Sequence, residues 1–544
     1  MKFSVCALIG ALSPSLFCGV AAAPSGSNKV VDLGYAKYEG ESLSNGVSHW
    51  LGIRYAAPPL GELRFQEPQD PLQEDGVQPA NKHGLACLAV EDDPNNNETS
   101  EDCLFMDVYA PADATEESNY PVYVFLQGGG FAQNSNVNLN GTGLIKAADD
   151  KMVVVTFNYR VGMFGFLSGP VVQERASLNN GLKDQRKALE WVQRHIKKFG
   201  GNPGHVVIGG ASAGGASVTL HLSAYGGRDD GYFVGAAAES QSFATMLTVE
   251  ESEFMYNNLV IRTGCVDEDD TFQCLQNLNA SYLQSHDKVT PFPGGQEAPL
   301  YMYGPTIDGD LIPDYTVKLF EEGKFIRVPT IFGDDSNEGT MFAPKNTSSY
   351  AEGDVFIQNQ FTTVTPKQLG VINKLYPQDP SQTFPDSGPF WRQVSTAYGE
   401  IRYICPGVYL SDFYNKHGVN DVWNYHYAVL DKESEESGKG VEHTVEIHSI
   451  WGPENVQGEA PKSYYNENAP IIPIIQGYWT SFITTLDPST RRHEGAPEWK
   501  RWTADGQSQN RIFIRTNDTH MEQVPQDQKQ RCDYLHSIAI DLRQ

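Results

Sequence analysis

The segment HVVIGGASAGGASVTLHLSAYG, residues 205–226, decides both the fold and the chemistry of this chain. Its apolar, β-branched start predicts a short strand over residues 205–210, and residues 218–226 are predicted to form a helix. Between them, GASAG fits the pattern G-x-S-x-G with Ser212 at its centre. A sharp strand-to-helix turn exposes a nucleophilic hydroxyl, and small neighbours permit that turn. The alternative is a glycine-rich turn that only packs the helix against a sheet.

Outward from this segment, predicted strands and helices alternate. Apolar runs at 120–127, 151–159, 327–333 and 422–430 have strand length and composition, and residues 184–200 carry apolar residues at helical spacing before Gly200. This order predicts an α/β fold with a large, mostly parallel sheet that helices cover on both faces. Without an internal repeat or a linker, residues 23–544 are expected to form one domain with long insertions.

A second glycine-rich loop supports a catalytic reading of Ser212. In VFLQGGGFAQ, residues 124–133, the glycines follow a predicted strand. In hydrolases with a G-x-S-x-G turn, backbone amides of such a loop and of the residue after the nucleophile form the oxyanion hole. Gly129, Gly130 and Ala213 are the residues predicted for this role. A phosphate-binding loop is the competing interpretation, but no Lys-Ser/Thr follows the glycines and no G-x-G-x-x-G is present.

Composition excludes several other classes of protein. The 544 residues include 40 Lys and Arg against 68 Asp and Glu, which gives a net charge of −28. This acidic excess argues against nucleic acid as a partner, because phosphate binding needs clustered basic residues. The hydrophobic fraction of 40% is enough for a large core, which excludes a disordered chain.

The N-terminus is typical of a secretory signal peptide. Lys2 precedes an apolar stretch, and Ala21 to Ala23 provide small residues for cleavage, so residues 1–22 are predicted to be removed and the protein to be secreted. A membrane anchor is the alternative, but the stretch is short and contains Pro14. No later segment is apolar enough to cross a bilayer, so stable membrane insertion is not expected.

The cysteine and asparagine patterns agree with export. Six cysteines remain after the signal peptide, and neighbours in sequence favour Cys87–Cys103 and Cys265–Cys274, which leaves Cys405–Cys532 among about fifteen possible connectivities. Zinc is the weaker interpretation, since no ligand pair has the usual spacing. Five N-x-S/T sequons are candidates for glycosylation, at Asn97, Asn140, Asn279, Asn346 and Asn517.

The order of motifs resembles the type-B carboxylesterase/lipase family, which includes cholinesterases and, closest in character, fungal secreted esterases. The matching blocks cover nearly the whole mature chain. They include LGIRYAAPPLGELRF (51–65), EDCLFMDVYAP (101–111), NYRVGMFGFL (158–167), GDDSNEG (333–339) and GVEHTVEIHSIWG (440–452), around the two glycine-rich segments. The resemblance implies the α/β-hydrolase fold and a serine hydrolase that needs no metal and no cofactor.

The resemblance also implies the remaining catalytic residues. Glu338 in SNEG matches the family's acid and His443 in GVEHTVE its base, which gives the α/β-hydrolase order of nucleophile, acid and base. Asp334, Asp335 and His448 are the rivals. Structural positions also carry over: Ser240 behind the triad, ion pairs Arg64–Glu101 and Arg160–Asp184, and a disulfide pattern like that of cholinesterases.

Departures from the family narrow the expected substrate. Many members have Glu before the nucleophile, where this chain has Ala211, and the segment between Cys87 and Cys103 lacks the aromatic residue that holds choline. That segment is also too acidic for an interfacial lid. We therefore expect a small-molecule ester as substrate, with short to medium acyl chains. A long-chain lipase is the first alternative, and a non-catalytic cholinesterase-like binding protein is the second; the oligomeric state is not predicted.

Overall fold

The computed structural model describes residues 29–93 and 97–544. The predicted signal peptide, residues 1–22, lies outside this range. Within the described residues, thirteen strands form one sheet, in the order β1-β2-β3-β7-β9-β8-β10-β11-β14-β15-β16-β17 with β4 beside β2. Two further pairs, β5 with β6 and β12 with β13, form small separate sheets. The strands are β1 (Lys29–Asp32), β2 (Lys37–Ser42), β3 (Val47–Arg54), β4 (Val77–Pro79), β5 (Ala86–Cys87), β6 (Thr99–Ser100), β7 (Phe105–Pro111), β8 (Tyr120–Leu126), β9 (Val153–Phe157), β10 (Gly201–Ala211), β11 (Gly235–Glu239), β12 (Leu247–Thr248), β13 (Thr306–Ile307), β14 (Thr330–Asp335), β15 (Val422–Tyr427), β16 (Asn510–Ile514) and β17 (His520–Gln523).

Helices occupy most of the connections between these strands. They are α1 (Thr142–Ala147), α2 (Gly162–Phe166), α3 (Pro170–Arg175), α4 (Asn180–His195), α5 (Ala213–Gly227), α6 (Glu253–Thr263), α7 (Thr271–Asn277), α8 (Ala280–Ser285), α9 (Thr316–Glu321), α10 (Tyr350–Gln360), α11 (Pro366–Leu375), α12 (Trp391–Gly399), α13 (Cys405–Lys416), α14 (Lys432–Ser437), α15 (Ile447–Trp451), α16 (Ile471–Thr485) and α17 (Gln526–Ser537).

The middle of the sheet is parallel, as the sequence predicts. Every neighbouring pair from β9 through β8, β10, β11, β14 and β15 to β16 is parallel, whereas β1–β2, β2–β3, β3–β7, β7–β9 and β16–β17 are antiparallel. The carboxyl ends of the parallel strands therefore meet along one edge. In open α/β sheets this edge is where ligands bind.

Both faces of the sheet are buried, which explains the continuous apolar runs in the sequence. In β8, Val122, Val124 and Leu126 belong to one hydrophobic cluster, with α4 and α5, and the alternate residues Tyr123 and Phe125 belong to the other, with α1 and α16. The fold class predicted from the sequence, an α/β-hydrolase sheet covered on both faces, is confirmed.

Element boundaries differ from the predictions by a few residues. The strand predicted at 151–159 is shorter, Val153–Phe157, and the one predicted at 205–210 is longer, Gly201–Ala211, because it pairs with Tyr120 through an irregular register. The helix predicted at 184–200 begins earlier, at Asn180, and ends in a 3₁₀ turn before Gly200, whose φ is +88°. Positive φ is the backbone conformation that glycine allows at a helix end.

Three disulfides and two buried ion pairs join segments outside the central sheet. The three disulfides join Cys87 to Cys103, Cys265 to Cys274 and Cys405 to Cys532. Both ion pairs implied by the resemblance are present and buried: the Arg160 guanidinium donates two hydrogen bonds to Asp184, of 2.7 and 2.8 Å, and Arg64 donates two to Glu101, of 2.5 and 2.7 Å.

Candidate active site

Ser212 occupies the turn between β10 and α5 in a backbone conformation that few non-glycine residues adopt. Its φ is +59° and its ψ is −121°. Its amide donates to the carbonyl of Glu239 (3.0 Å), and its own carbonyl accepts from Ala216 (2.9 Å), so the turn is held from both sides. A Cβ on Gly210 would lie 2.6 Å from the Gly214 carbonyl carbon, which explains why the turn needs glycine there. The sequence motif therefore forms a strained elbow with Ser212 half-buried at its tip.

The second glycine-rich loop lies directly beside this elbow. A Cβ on Gly128 would approach the Ser212 Cβ to 3.1 Å, and Gly129 and Gly130 have φ values of +110° and +63°. Among the described residues, no acceptor receives the amide protons of Gly129, Gly130 or Ala213. Backbone amides without partners beside a nucleophile are the groups that stabilise an oxyanion.

Glu338 and His443, which are 105 residues apart in sequence, are in direct contact. The Glu338 Oε2 atom and the His443 Nδ1 atom form a short hydrogen bond, and Glu338 Oε1 accepts from the Asp335 amide at 2.8 Å. Both side chains are buried. The His443 Nε2 atom has no hydrogen-bond partner in the described chain, so the outer ring nitrogen is available. The rings of Tyr403 (centroids 4.4 Å apart) and Phe342 (5.1 Å) fix the imidazole plane.

The alternative candidates for the acid and the base make other contacts. Asp334 accepts from Gln241 Nε2 at 2.8 Å, and burial and the nearby Glu338 carboxylate raise its pKa well above its ordinary value. His448 lies in α15, where burial lowers its pKa to about 4, and its nearest ring partner is Tyr464 at 6.2 Å. None of the described hydrogen bonds joins Asp334 or His448 to His443.

Sequence reasoning missed a group of buried carboxyls behind Glu338. Glu446 accepts hydrogen bonds from the hydroxyls of Tyr425 (2.9 Å) and Ser240 (3.2 Å), so the Ser240 side chain belongs to this layer of buried polar groups. Asp335 is fully buried, and burial and the charge of Glu446 raise its pKa well above the ordinary value. The nearby "VEIH" motif contains Glu446, but only the fold brings it to Asp335.

Comparison with known proteins decides the family. A family model described as "Carboxylesterase family" matches residues 27–534. The chain belongs to the carboxylesterase family. The crystal structure of Aspergillus niger EstA superposes with a TM-score of 0.92 at 42% sequence identity, over 95% of this chain and 99% of that one.

Curated relatives of this carboxylesterase are fungal lipases. Secreted lipase 4 of Gibberella zeae is 28% identical over 89% of this chain and 87% of its own length. Lipase 2 of Geotrichum candidum is 32% identical over 62% of this chain and 68% of its own length, and lipase 5 of Diutina rugosa is 27% identical over 92% and 94%. Family and relatives together show a carboxylic ester hydrolase.

A largely apolar cavity adjoins the elbow of this carboxylesterase. Its walls include Gly130 from the glycine-rich loop and Ser242, whose amide donates to the Ser212 carbonyl at 3.3 Å. The remainder is mostly hydrophobic: Phe131, Leu220, Met246, Leu247, Phe292 and Met302. This cavity can hold an acyl chain or another apolar group next to the nucleophile.

One further cluster of potential metal ligands is occupied by other interactions. In the described part of the chain, Glu400, Cys405 and Cys532 are close enough to share a metal ion, but the two cysteines form a disulfide and Arg531 binds Glu400 through two hydrogen bonds of 2.7 Å. Among the same residues no helix combines the length and apolar character needed to span a bilayer.

Proposed function

We propose that this carboxylesterase uses Ser212, His443 and Glu338 as a catalytic triad, with Gly129, Gly130 and Ala213 as its oxyanion hole. The observation that carries the proposal is the contact of Glu338 with His443 Nδ1, which leaves Nε2 without a partner in the described chain on the same sheet edge as the Ser212 elbow. An imidazole held in this way presents the basic nitrogen that a serine nucleophile needs.

In the proposed mechanism, the Ser212 Oγ atom forms a bond to the ester carbonyl carbon while its proton passes to His443 Nε2. The oxyanion accepts hydrogen bonds from the three backbone amides. Collapse of this intermediate breaks the bond to the alcohol, which leaves with the proton from Nε2. Water then attacks the acyl-enzyme in the same way and releases the acid. Throughout, the Glu338 carboxylate stabilises the imidazolium and fixes its orientation.

Substitution of the triad tests this assignment. Ser212→Ala is expected to reduce turnover of a p-nitrophenyl ester about 10⁴- to 10⁶-fold, and to remove the initial burst of p-nitrophenol. His443→Ala is expected to be as damaging, whereas His448→Ala serves as the matched control and stays near wild type. Activity of Ser212→Ala within tenfold of wild type, or a reversed order of the two histidines, would contradict the assignment.

We propose short to medium acyl esters as substrates, because the acidic end of the segment inside the first disulfide is bound by arginines outside it. Asp102 accepts two hydrogen bonds from Arg54, of 2.7 and 2.8 Å, and Glu101 is bound by Arg64. Interfacial activation requires a mobile element with an apolar face. Arg54 lies in β3, so its ion pair holds Asp102 to the sheet, and Arg64 holds Glu101 to the 3₁₀ turn Gly61–Leu63.

The other candidate lid, residues 287–304, is also fastened. The amides of Gln296 and Glu297 donate to Asn359 Oδ1 at 2.9 and 3.1 Å, and the Leu300 amide donates to Gln360 Oε1 at 3.0 Å. Hydrolysis of tributyrin is therefore expected to follow its dissolved concentration, with no rate jump at the solubility limit. A sharp rise at that limit would favour the alternative function, a lipase acting on long-chain acylglycerols.

We also propose that residues 1–22 direct secretion and that residues 23–544 act as one catalytic domain. One relative is named a secreted lipase. Asn97, Asn279, Asn346 and Asn517 are exposed, which suits glycosylation, whereas Asn140 is half-buried and its side chain accepts from the Thr142 amide at 3.0 Å. Mass spectrometry of the protein from a eukaryotic host would identify the new N-terminus and the occupied sequons.

A further inference from the structure

The position of the cavity beside Ser212 indicates which part of an ester it receives. Under the proposed function, on which this inference rests, His443 returns a proton to the leaving alcohol, so the alcohol lies on the imidazole side. Among the described residues, the cavity wall includes Gly130 and Ser242 but neither His443 nor Glu338. The cavity therefore receives the acyl chain.

A buried arginine lies behind this cavity without a carboxylate partner. Arg402 is 4% exposed, and its guanidinium donates to the hydroxyls of Ser242 and Tyr398, each at 2.8 Å. Its Cζ lies 5.2 Å from the Tyr301 ring and 5.7 Å from the Tyr403 ring, both within cation–π range.

Other buried arginines of the chain are paired differently. Arg64 binds Glu101, Arg160 binds Asp184, and no acidic side chain of the described residues forms an ion pair with Arg402. Burying an unpaired charge is costly, so its retention calls for an explanation. Arg402 also lies in a π-helical turn, Glu400–Ile404, a local irregularity that occurs frequently at functional sites.

The charge of Arg402 acts on the Ser242 hydroxyl. Its oxygen accepts from the Arg402 guanidinium, while no acceptor among the described residues receives its own proton. Ser242 lines the cavity, as do Thr219 and Thr245, whose hydroxyls donate to the carbonyls of Ala216 (2.8 Å) and Gln360 (2.9 Å). A hydroxyl that accepts from a cation becomes a stronger donor.

We infer that Ser242, polarised by Arg402, donates a hydrogen bond to an oxygen atom in the acyl chain of the substrate. The preferred esters are then those of oxygen-bearing acids, such as ether, keto or dicarboxylic half-ester acyl groups, rather than plain fatty acids. The cavity supplies apolar contact along the chain, and Ser242 selects the position of the oxygen.

Isosteric ester pairs test this inference. Each p-nitrophenyl alkanoate from butanoate to hexanoate is compared with the ester in which one methylene is replaced by an ether oxygen. For each pair, the kcat/KM of the oxygen-containing ester is divided by that of the alkanoate, and this ratio is measured in wild type and in Ser242→Ala. Intrinsic reactivity cancels between the two enzymes. At one oxygen position the ratio is expected to be about tenfold higher in wild type, the value of one good hydrogen bond.

Two further variants and one charged ester show which group of the protein selects the oxygen. Thr245→Val removes a hydroxyl that is bound to the protein and is expected to keep the wild-type ratio. The p-nitrophenyl half-ester of glutaric acid presents a carboxylate. A higher kcat/KM ratio for this ester alone assigns the selection to the charge of Arg402 and contradicts a role of the Ser242 hydroxyl. A higher ratio for the ether esters as well assigns the selection to that hydroxyl. Arg402→Met is expected to lower the ratio in either case, and its thermal unfolding reports whether it folds.

Equal ratios in wild type and Ser242→Ala at every oxygen position, with the half-ester included, would overturn the inference even if Arg402→Met does not fold. This outcome differs from failure of the proposed function. If the triad is wrong, Ser212→Ala still hydrolyses p-nitrophenyl pentanoate. If only the inference is wrong, wild type hydrolyses the alkanoates by way of Ser212 and shows no selection for oxygen.

Discussion

At the scale of single residues, the carboxyls around His443 have different surroundings although they are neighbours. Glu338 accepts from a backbone amide and contacts the imidazole, whereas Asp335 is buried beside Glu446 and its pKa is raised by burial and by that charge. A carboxyl that accepts from an amide therefore faces the base, and a carboxyl whose pKa is raised by burial lies behind it. Environment separates these roles, as in other sites with paired carboxyls.

This separation predicts unequal effects of two amide substitutions. Glu338→Gln is expected to lower kcat by up to about 10⁴-fold, because an amide cannot stabilise the imidazolium and can turn the ring to the wrong tautomer. In Asp335→Asn an amide of the same shape replaces an acid that forms no hydrogen bond with His443 among the described residues, so this variant is expected to stay within tenfold of wild type. The kcat values of both variants on one p-nitrophenyl ester test this prediction. Equal losses of kcat would place Asp335 in the catalytic machinery.

Residues that a local motif encodes could be predicted, and those that long-range packing creates could not. Ser212, Glu338 and His443 each stand in a short pattern, so the sequence and the resemblance identify them as candidates. Glu446, Arg402 and Ser242 gain their properties from partners that lie up to 206 residues away. No periodicity or spacing in the chain indicates that Arg402 lacks a carboxylate; only the packed structure does.

At the scale of elements, the turn between β10 and α5 tolerates no extra atom. A Cβ on Gly214 would lie 2.0 Å from the Leu126 carbonyl oxygen, in the neighbouring strand β8. Gly214→Ala must therefore displace backbone at the site itself. We expect a loss of about 1–3 kcal/mol in the free energy of unfolding and a large loss of esterase activity.

Gly370→Ala provides the control. Gly370 lies in α11 with no heavy atom within 4 Å of a new Cβ, so this substitution is expected to raise stability by up to about 1 kcal/mol with activity unchanged. Denaturant unfolding and ester hydrolysis of both variants measure the contrast. Gly214→Ala with wild-type stability would show that the elbow yields more easily than its geometry indicates.

Element types were easier to predict than element ends. The apolar runs of β8, β9, β10, β14 and β15 are unambiguous because both faces of the parallel sheet are buried. Their ends depend on partners: β10 extends to Gly201 because Tyr120 pairs with it, which the sequence of either strand alone does not specify. The strands β1, β2 and β4 carry weaker signals, since they lie at the partly exposed edge.

At the scale of the whole molecule, buried acids make stability depend on pH. Burial and the nearby Glu446 charge raise the pKa of Glu239 to about 8, against an ordinary value of 4.5. Burial is also the largest cause of the raised pKa values of Asp334, Asp335 and Glu446. Between the two values of Glu239, the folded protein holds a proton that the unfolded chain has released.

The sign of the dependence follows from this difference in bound protons. Because the folded state binds more protons, the free energy of unfolding falls as pH rises from about 4.5 to about 8, by at most about 1.4 kcal/mol per pH unit for each such group. Buried histidines act in the opposite direction below pH 6.5: the pKa of His221 is lowered to about 3 by burial. Total stability therefore combines two trends, and a variant is needed to isolate one.

Glu239→Gln isolates the carboxyl trend. The amide keeps an oxygen that can accept from Trp479 Nε1, which lies 2.8 Å from the wild-type Oε1, and it cannot titrate. Urea unfolding from pH 5 to pH 9 is expected to show a stability difference, variant minus wild type, that grows with pH and levels off above about 8. Glu352→Gln alters an exposed acid whose pKa is lowered by hydrogen bonds from Ser348, so its difference has no such rise. Histidine contributions cancel because both proteins contain them. A difference that is flat between pH 5 and pH 8 would mean that Glu239 is already ionised in the folded protein.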